Sequence, residues 1–296
     1  MGIRPTGSSA LCGNPCHGVG PHQARHRQPA PIGRRHMKRG SLLSGKIWPL
    51  HVLFAAGVVV IWQLLVLHAG NEVLFPNLDS VGAALWDLTS SGKLHSAMLE
   101  SLRLLFTGFT FAFVGAFFLG VIMGSSKAIG MALLPLMSFI YCVPLIALLP
   151  LLLMWFGFGF TGRMVVVAYS SFFPVLLNVY AGVRETPSDL VEVAQSIGLT
   201  GRLAQFRHVV LPSSVPFVMA GFRLGIGRAV VGMAIAEVFL RLGGIGALIV
   251  ENGARFRTAY VIAAIVPLPL LGIALTKAAA RFEQRVQYWR YTAVSE

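Results

Sequence analysis

Three places in this 296-residue sequence carry residue types that do chemistry. The segment GSLLSGKI, residues 40–47, has the glycine and lysine spacing of a phosphate-binding loop, whose backbone N–H groups and lysine would cradle phosphates. Ile47 stands where a hydroxyl would hold Mg²⁺, and no strand pattern precedes it, so no nucleotide site is expected there. Cys12, Cys16 and His17 could offer two or three metal ligands, but their spacing is not a zinc signature and no second pair follows. With Cys142 they also form no disulfide framework. The third place is a single apolar run that contains Arg223, Arg228 and Glu237. Ionisable groups there are costly in a membrane and point to a role.

What must position these residues follows from composition. The chain is 55% hydrophobic and only 12% charged, with a mean hydropathy of +0.72. Soluble domains carry about twice that charge, so the shortage points to the bilayer. Six apolar spans can be drawn, at residues 48–68, 102–124, 131–156, 164–183, 217–240 and 259–280. Each is about 20 residues or more, enough for ~30 Å of hydrocarbon. Lipid offers the backbone no partners, so all must be helices. The fold expected is an all-α polytopic membrane protein. In the third span Pro135, Pro144 and Pro150 interrupt the helix, as packing kinks or as the lining of a pathway. Gly120 and Gly124, and Gly221 and Gly225, are pairs that permit close helix approach.

The net charge of +13 does not mark a nucleic-acid binder. Eight of the 24 basic residues lie in residues 1–46, which hold no acid; the remaining 16 stand against 11 acidic residues, a net of +5. That tail reads as disordered and cytoplasmic, and too far from an apolar run to be a signal peptide. Met37, followed by KRGSLLSGKIWP, has the character of a membrane-protein N-terminus. Translation starting there would make residues 1–36 dispensable, whereas natural protein containing a peptide across residues 4–25 would refute it. The transmembrane domain is then residues 47–290, with a short tail at 291–296.

Lys/Arg bias sets the orientation. The basic start, the turn with Lys127, the segment 184–216 (Arg184, Arg202, Arg207) and the end of the chain (Lys277, Arg281, Arg285, Arg290) are expected inside. Residues 69–100, with Lys93 against Glu72, Asp79, Asp87 and Glu100, are expected outside, as is the short loop GFGFTGR. Residues 241–258 hold Arg241, Arg255 and Arg257 and disobey the rule, yet an even span count puts them outside. Both termini are expected in the cytoplasm.

The longest polar interruption is residues 184–216. Thr186, Pro187 and Asp189 read as a capping box with proline at the first helical position, and Gly198 as the glycine that ends the helix. Leu190, Val191, Ala194 and Ile197 share one face. A second short helix would follow Gly201 and end before Pro212. A helix this short is not stable alone, so its apolar face must pack on the chain's own span ends or on a partner.

The strings EVAQSIG and VVLPSSVP in this segment resemble the EAA loop of inner-membrane permease subunits of ABC importers. Glu192, Ala194, Gly198, Leu211 and Pro212 match its fixed points; Val193 replaces an alanine, and the Gly198-to-Leu211 spacing is one residue longer than the common form. Three further stretches resemble the branch for nitrate, sulfonate, taurine and related compounds: VPLIALLPLLLMWFGFG, AGFRLGIGRAVVGMAIAEV and RFEQRVQYW. The resemblance runs from about residue 48 to 289.

The resemblance implies a type I importer permease with a cytoplasmic coupling-helix loop, in the bacterial inner membrane. It implies no catalysis on this chain, with ATP and Mg²⁺ held by a cytoplasmic ATPase dimer, a second permease copy, and an extracytoplasmic solute-binding protein that delivers a small solute, expected to be anionic, with sulfonate, nitrate, taurine and small heterocyclic compounds all compatible. ATP-driven closure would pull the loops together and shift the helices between inward- and outward-facing states. Glu192 and Gly198 would carry this coupling, with Leu190, Ala194 and Ile197 as apolar contacts. Arg223 and Arg228 either attract the anion or sit near the cytoplasmic end and help hold the loop; since the family carries arginine here whatever its substrate, the second is the expectation. Glu237 would pair with Arg241 one turn on. A secondary transporter would want intramembrane acids or inverted halves, and a membrane enzyme clustered acids; the spans hold Glu237 as their one acid.

Overall fold

The computed structural model describes residues 47–69 and 75–286. The tail with Cys12, Cys16 and His17, the GSLLSGK segment, Met37, Glu72 and the end of the chain from residue 287 lie outside the described residues. The described residues form helices α1 (Ile47–Ala69), α2 (Leu78–Ser90), α3 (Lys93–Ser125), α4 (Lys127–Cys142), α5 (Leu145–Phe156) and α6 (Phe160–Arg184). They continue with α7 (Ser188–Ser196), α8 (Arg202–Gln205), a π-helical turn (Phe206–Val210), α9 (Leu211–Leu240), α10 (Gly244–Ala254), α11 (Thr258–Ile265) and α12 (Pro267–Val286).

Among the described residues four helical runs are long and apolar enough to cross a membrane: Lys93–Ser125, Phe160–Arg184, Arg202–Leu240 and Thr258–Val286. The pair α4 and α5 makes a fifth if its 99° bend is one broken span. The expected first span falls on α1, whose apolar stretch Ala56–His68 is shorter than these, so four or five of the six expected spans are found among the described residues. The third span departs from expectation, because of its three prolines only Pro144 breaks the helix; Pro135 and Pro150 lie inside α4 and α5. A residue before proline is pushed out of the helical region, and Val143 is β-branched as well, whereas Leu134 and Leu149 are not. Val143 accordingly takes φ −71° and ψ 124°.

The core is organised on α6. Association of helices in lipid depends on close packing rather than on the hydrophobic effect, so small residues decide it. Both glycine pairs serve this within one chain. A Cβ on Gly120 or Gly124 would lie 2.8 Å from Val179 or 2.6 Å from Val183, so α3 runs parallel to α6. A Cβ on Gly221 or Gly225 would lie 2.9 Å from Asn178 or 2.5 Å from Val175, so α9 runs antiparallel to it. Leu104, Leu105, Val167, Leu176 and Met233 fill the resulting core.

At the end of the bundle where α3 and α6 start and α9 finishes, two expected loops are partly helical. Residues 69–100 contain α2 and the first turns of α3, and residues 241–258 contain α10. α2 packs on α11 through Ala84, Leu88, Ala263 and Ala264, and Tyr260 Oη donates to Asp87 Oδ2 at 3.1 Å. The basic residues that break the charge rule are in part neutralised here. Arg255 pairs with Glu251 at 2.9 Å, and the Arg257 guanidinium lies 5.9 Å from the centre of the Tyr260 ring.

Candidate functional site

At the opposite end of the bundle, α6 gives way to the polar segment. The expected capping box is absent. Pro187 occupies the N-cap position of α7, and no side chain caps the helix. Thr186 instead donates back to the Val183 carbonyl at 3.3 Å and meets Ser213 Oγ at 3.1 Å, tying the two ends of the segment together. A hydroxyl so engaged is not free to turn to the α7 amides.

The C-terminus of α7 is built as the sequence suggests. Gly198 has φ +92°, a left-handed conformation that costs a side-chain-bearing residue about 1–2 kcal/mol. Leu199 N–H donates to the Ala194 carbonyl at 2.9 Å and Gly198 N–H to that of Gln195 at 3.0 Å, the paired bonds of a Schellman ending. Gln205 Nε2 then holds the Leu199 carbonyl at 2.9 Å, closing the turn onto α8.

The second helix does not stop before Pro212. The helical run is continuous from Arg202 to Leu240, with Pro212 inside its course. The π turn explains this: Leu211 N–H reaches back five residues to Phe206, widening the turn just where the proline ring would press on a carbonyl.

The apolar face of α7 is only partly covered. Ala194 is buried and Val191 half-buried, but Leu190 and Ile197 are 47% and 73% exposed, as are Val193 beside them (61%) and Leu203 on α8 (80%). Glu192 is also exposed, its carbonyl accepting from Ser196 Oγ at 3.0 Å. Leu211 is half-buried and Pro212 exposed at the foot of α9. The segment is thus a small knob with a rigid turn and an oily surface.

Glu237 is not where the sequence places it. It is fully buried and does not pair with Arg241, which ends α9 in a left-handed conformation at φ 53°. Its Oε2 accepts from Gly246 N–H at 3.0 Å, in the first turn of α10. Glu100 Oε2 accepts from Gly244 N–H at 3.2 Å, and Ser101 Oγ from Ile245 N–H at 3.0 Å. Arg163, itself buried, donates to Glu100 Oε1 at 3.1 Å. Carboxylates from α3 and α9 therefore cap α10 from outside, where its free N–H groups carry partial positive charge. Glycine is required at Gly244, with φ +76°, and any Cβ there would collide with the Glu237 carboxylate. Glu100 and Ser101 on α3 and Arg163 on α6 are not legible from the sequence as partners of α10, because they lie roughly 80–145 residues from its start. Their one signal was polarity close to span ends.

The two arginines of α9 part company. Arg223 Nη1 lies 3.2 Å from Glu283 Oε2 on α12, joining two spans. Arg228 has no side-chain hydrogen bond or ion pair among the described residues and is exposed. It stands about 25 Å along α9 from Leu211 and about 18 Å from Leu240, at ~1.5 Å per residue. That is the middle of the span rather than its cytoplasmic end. It lines a cavity of about 310 Å³ at the break between α4 and α5, with Tyr141, Cys142, Pro144, Tyr169 and Ser170. Pro150 is exposed on α5 and does not line it. Among the described residues no group of three or more His, Cys, Asp or Glu is placed to hold a metal.

Residues 116–288 match the family described as binding-protein-dependent transport system inner membrane component. A putative ABC transporter permease protein of Methanocaldococcus jannaschii is 30% identical over 81% of this chain and 92% of its own length. A putative aliphatic sulfonates transport permease protein of Escherichia coli is 31% identical over 77% and 88%. A riboflavin transport system permease protein of Chloroflexus aurantiacus is 30% identical over 78% and 87%. Among solved structures, an inward-facing methionine ABC transporter chain superposes with a TM-score of 0.59 at 18% identity, covering 65% of this chain and 95% of that one. At that identity the match speaks for the fold alone.

Proposed function

Since this chain belongs to the family of binding-protein-dependent transport system inner membrane components and is a multi-pass permease subunit of an ABC importer, we propose that its knob at residues 184–216 is the docking element for a cytoplasmic ATPase. The observation that carries this is the exposure of Leu190, Val193, Ile197 and Leu203 on an element whose one buried apolar residue in α7 is Ala194. A nine-residue helix does not hold together on so little packing unless a partner covers the rest. Glu192 supplies a polar contact at the docking groove, and the Gly198 turn fixes the angle at which α7 is presented. α8, the π turn and the foot of α9 at Leu211 and Pro212 form one helical run with the span that carries Arg228, and the Gly198 turn joins α7 to its start, so displacement of the knob reaches mid-membrane.

On this reading ATP and Mg²⁺ reside on the ATPase dimer, two permease copies form the path, and a binding protein delivers the solute from outside. The sulfonate-type relative and the motifs of the nitrate, sulfonate and taurine branch support a small anionic solute. The knob and both termini lie in the cytoplasm.

The test is co-purification of the ATPase with variants of the knob. Ile197 is 73% exposed, so covering it is worth roughly 1–2 kcal/mol of the ~1.5–3 kcal/mol for a whole aliphatic side chain. Ile197→Ala then weakens retention by roughly 5- to 30-fold, and Glu192→Ala uncouples transport from ATP hydrolysis. If Ile197→Glu and Gly198→Pro both retain the ATPase as the unaltered chain does, the docking assignment fails.

A further inference from the structure

We propose that Arg228 and the helix break at Val143 and Pro144 form the anion-selecting station of the transmembrane path. The proposal rests on the importer reading and adds the residues that meet the cargo inside the membrane.

Four observations converge. First, Arg228 lies in the middle of its span, at about the level where Lys277 of α12 lies beside Gly227, and too far from either end for its side chain to reach water along the helix. Leaving such a charge in lipid is costly, so its exposed face belongs on a hydrated path. Second, no acid among the described residues stands ready to neutralise it. Glu237 is buried under α10 and Glu283 is engaged at Arg223. The other acids in the described residues lie in loops or near helix ends, and a second copy of the same sequence brings no further one to this depth. The counter-charge must therefore come from what passes.

Third, the cavity beside it is shaped for a small polar anion. Val143 and Pro144 interrupt the helix, and the Ile140 carbonyl at the break accepts from both Val143 N–H at 3.1 Å and Tyr169 Oη at 2.8 Å, fixing α6 to its edge. Ser170 Oγ donates to the Arg228 carbonyl at 2.6 Å, fixing α6 against α9 at this level. The Tyr141 hydroxyl has no partner among the described residues and is available as a second donor. The first turn of α5 opens on the same cavity through Leu145, adding the positive end of a helix to the guanidinium. Fourth, about 310 Å³ is at the small end of ligand cavities, which suits an oxyanion head such as a sulfonate or nitrate on a short body.

Arg228 offers planar, paired N–H groups that match an oxyanion. It would raise the local concentration of anions and repel cations, while one weak ligand at mid-path lets the solute leave again.

Cys142 lines the same cavity and is a built-in reporter. In full-length chain with Cys12→Ser and Cys16→Ser, Cys142 is the sole thiol. The assembled transporter in proteoliposomes is treated with methanethiosulfonates of matched size, one a sulfonate and one a quaternary ammonium. The expected result is labelling of Cys142 by both, with the anion-to-cation rate ratio falling at least about tenfold in Arg228→Gln, as a unit charge several ångströms away requires at an effective dielectric near 20. Arg228→Lys should restore most of that ratio. In the chain that keeps Arg228, nitrate or ethanesulfonate should slow labelling, and choline at equal concentration should not. An unreactive Cys142, a ratio unchanged in Arg228→Gln, or equal protection by choline would each overturn the proposal. The last arm needs no folded Arg228 variant. Because labelling does not require the ATPase to dock, failure here is distinct from failure at the knob.

Discussion

Replacing Glu237 with alanine should release the first turn of α10, and the size of the effect can be worked from its contacts. The Gly246 N–H loses its acceptor in a fully buried site. A stranded buried donor costs about 1–3 kcal/mol. The missing carboxyl arm leaves roughly 50 Å³, which at ~24 cal/mol per Å³ adds about 1 kcal/mol. Arg163 keeps Glu100, so no further charge is stranded. The sum, about 2–4 kcal/mol, corresponds to roughly 30- to 1,000-fold faster local opening. Hydrogen–deuterium exchange in detergent should show this rise at the amides of Gly244, Ile245 and Gly246 while the α6 core stays protected. Glu237→Gln, which keeps shape and one acceptor oxygen, should lose much less. Arg241→Ala should leave these amides unchanged, which separates the capping role from the i,i+4 pair suggested by spacing. Wild-type exchange rates at Gly246 in Glu237→Ala would refute the reasoning.

Other expectations follow from particular contacts. Gly225→Leu should abolish the α6–α9 approach, since even its Cβ would lie 2.5 Å from Val175; a fall in the melting temperature or loss of the monodisperse peak checks it, and an unchanged melt counts against close packing here. Gly198→Val should cost only about 1–2 kcal/mol locally, leaving the bundle's melting temperature intact while transport-coupled ATP hydrolysis drops. Arg223→Ala should lower stability by about 1–3 kcal/mol, because it removes the cation beside a largely buried Glu283 carboxylate, and should leave Cys142 labelling as it was. Pro144→Ala should relax the 99° bend, read as a longer spin-label distance between positions 131 and 154; an unchanged distance would mean that Val143 and its neighbours hold the bend without the proline.

The spans and the knob were legible because their signals are local. A bilayer imposes length and polarity on each helix separately, and a terminal glycine such as Gly198 announces its conformation from one position. The failures were also local readings. Thr186 has the spacing of a capping residue, but Ser213, 27 positions away, holds its hydroxyl. Pro212 reads as a stop, but a π turn immediately before it carries the helix through.

Sequence alone determined that this chain is an all-helical membrane protein of the importer-permease kind, with a polar segment between two of its spans. Tertiary structure decided what its charges do. Glu237, Arg223 and Arg228 lie in one apolar run with similar sequence signals, yet one caps a helix, one joins two spans and one faces a cavity alone. The first two are decided by Gly246 and Glu283 on other helices, and Arg228 by the cavity that the break between α4 and α5 opens beside it. A charge in a low-dielectric medium is defined by its partner, and partners distant in sequence become neighbours only when the helices pack.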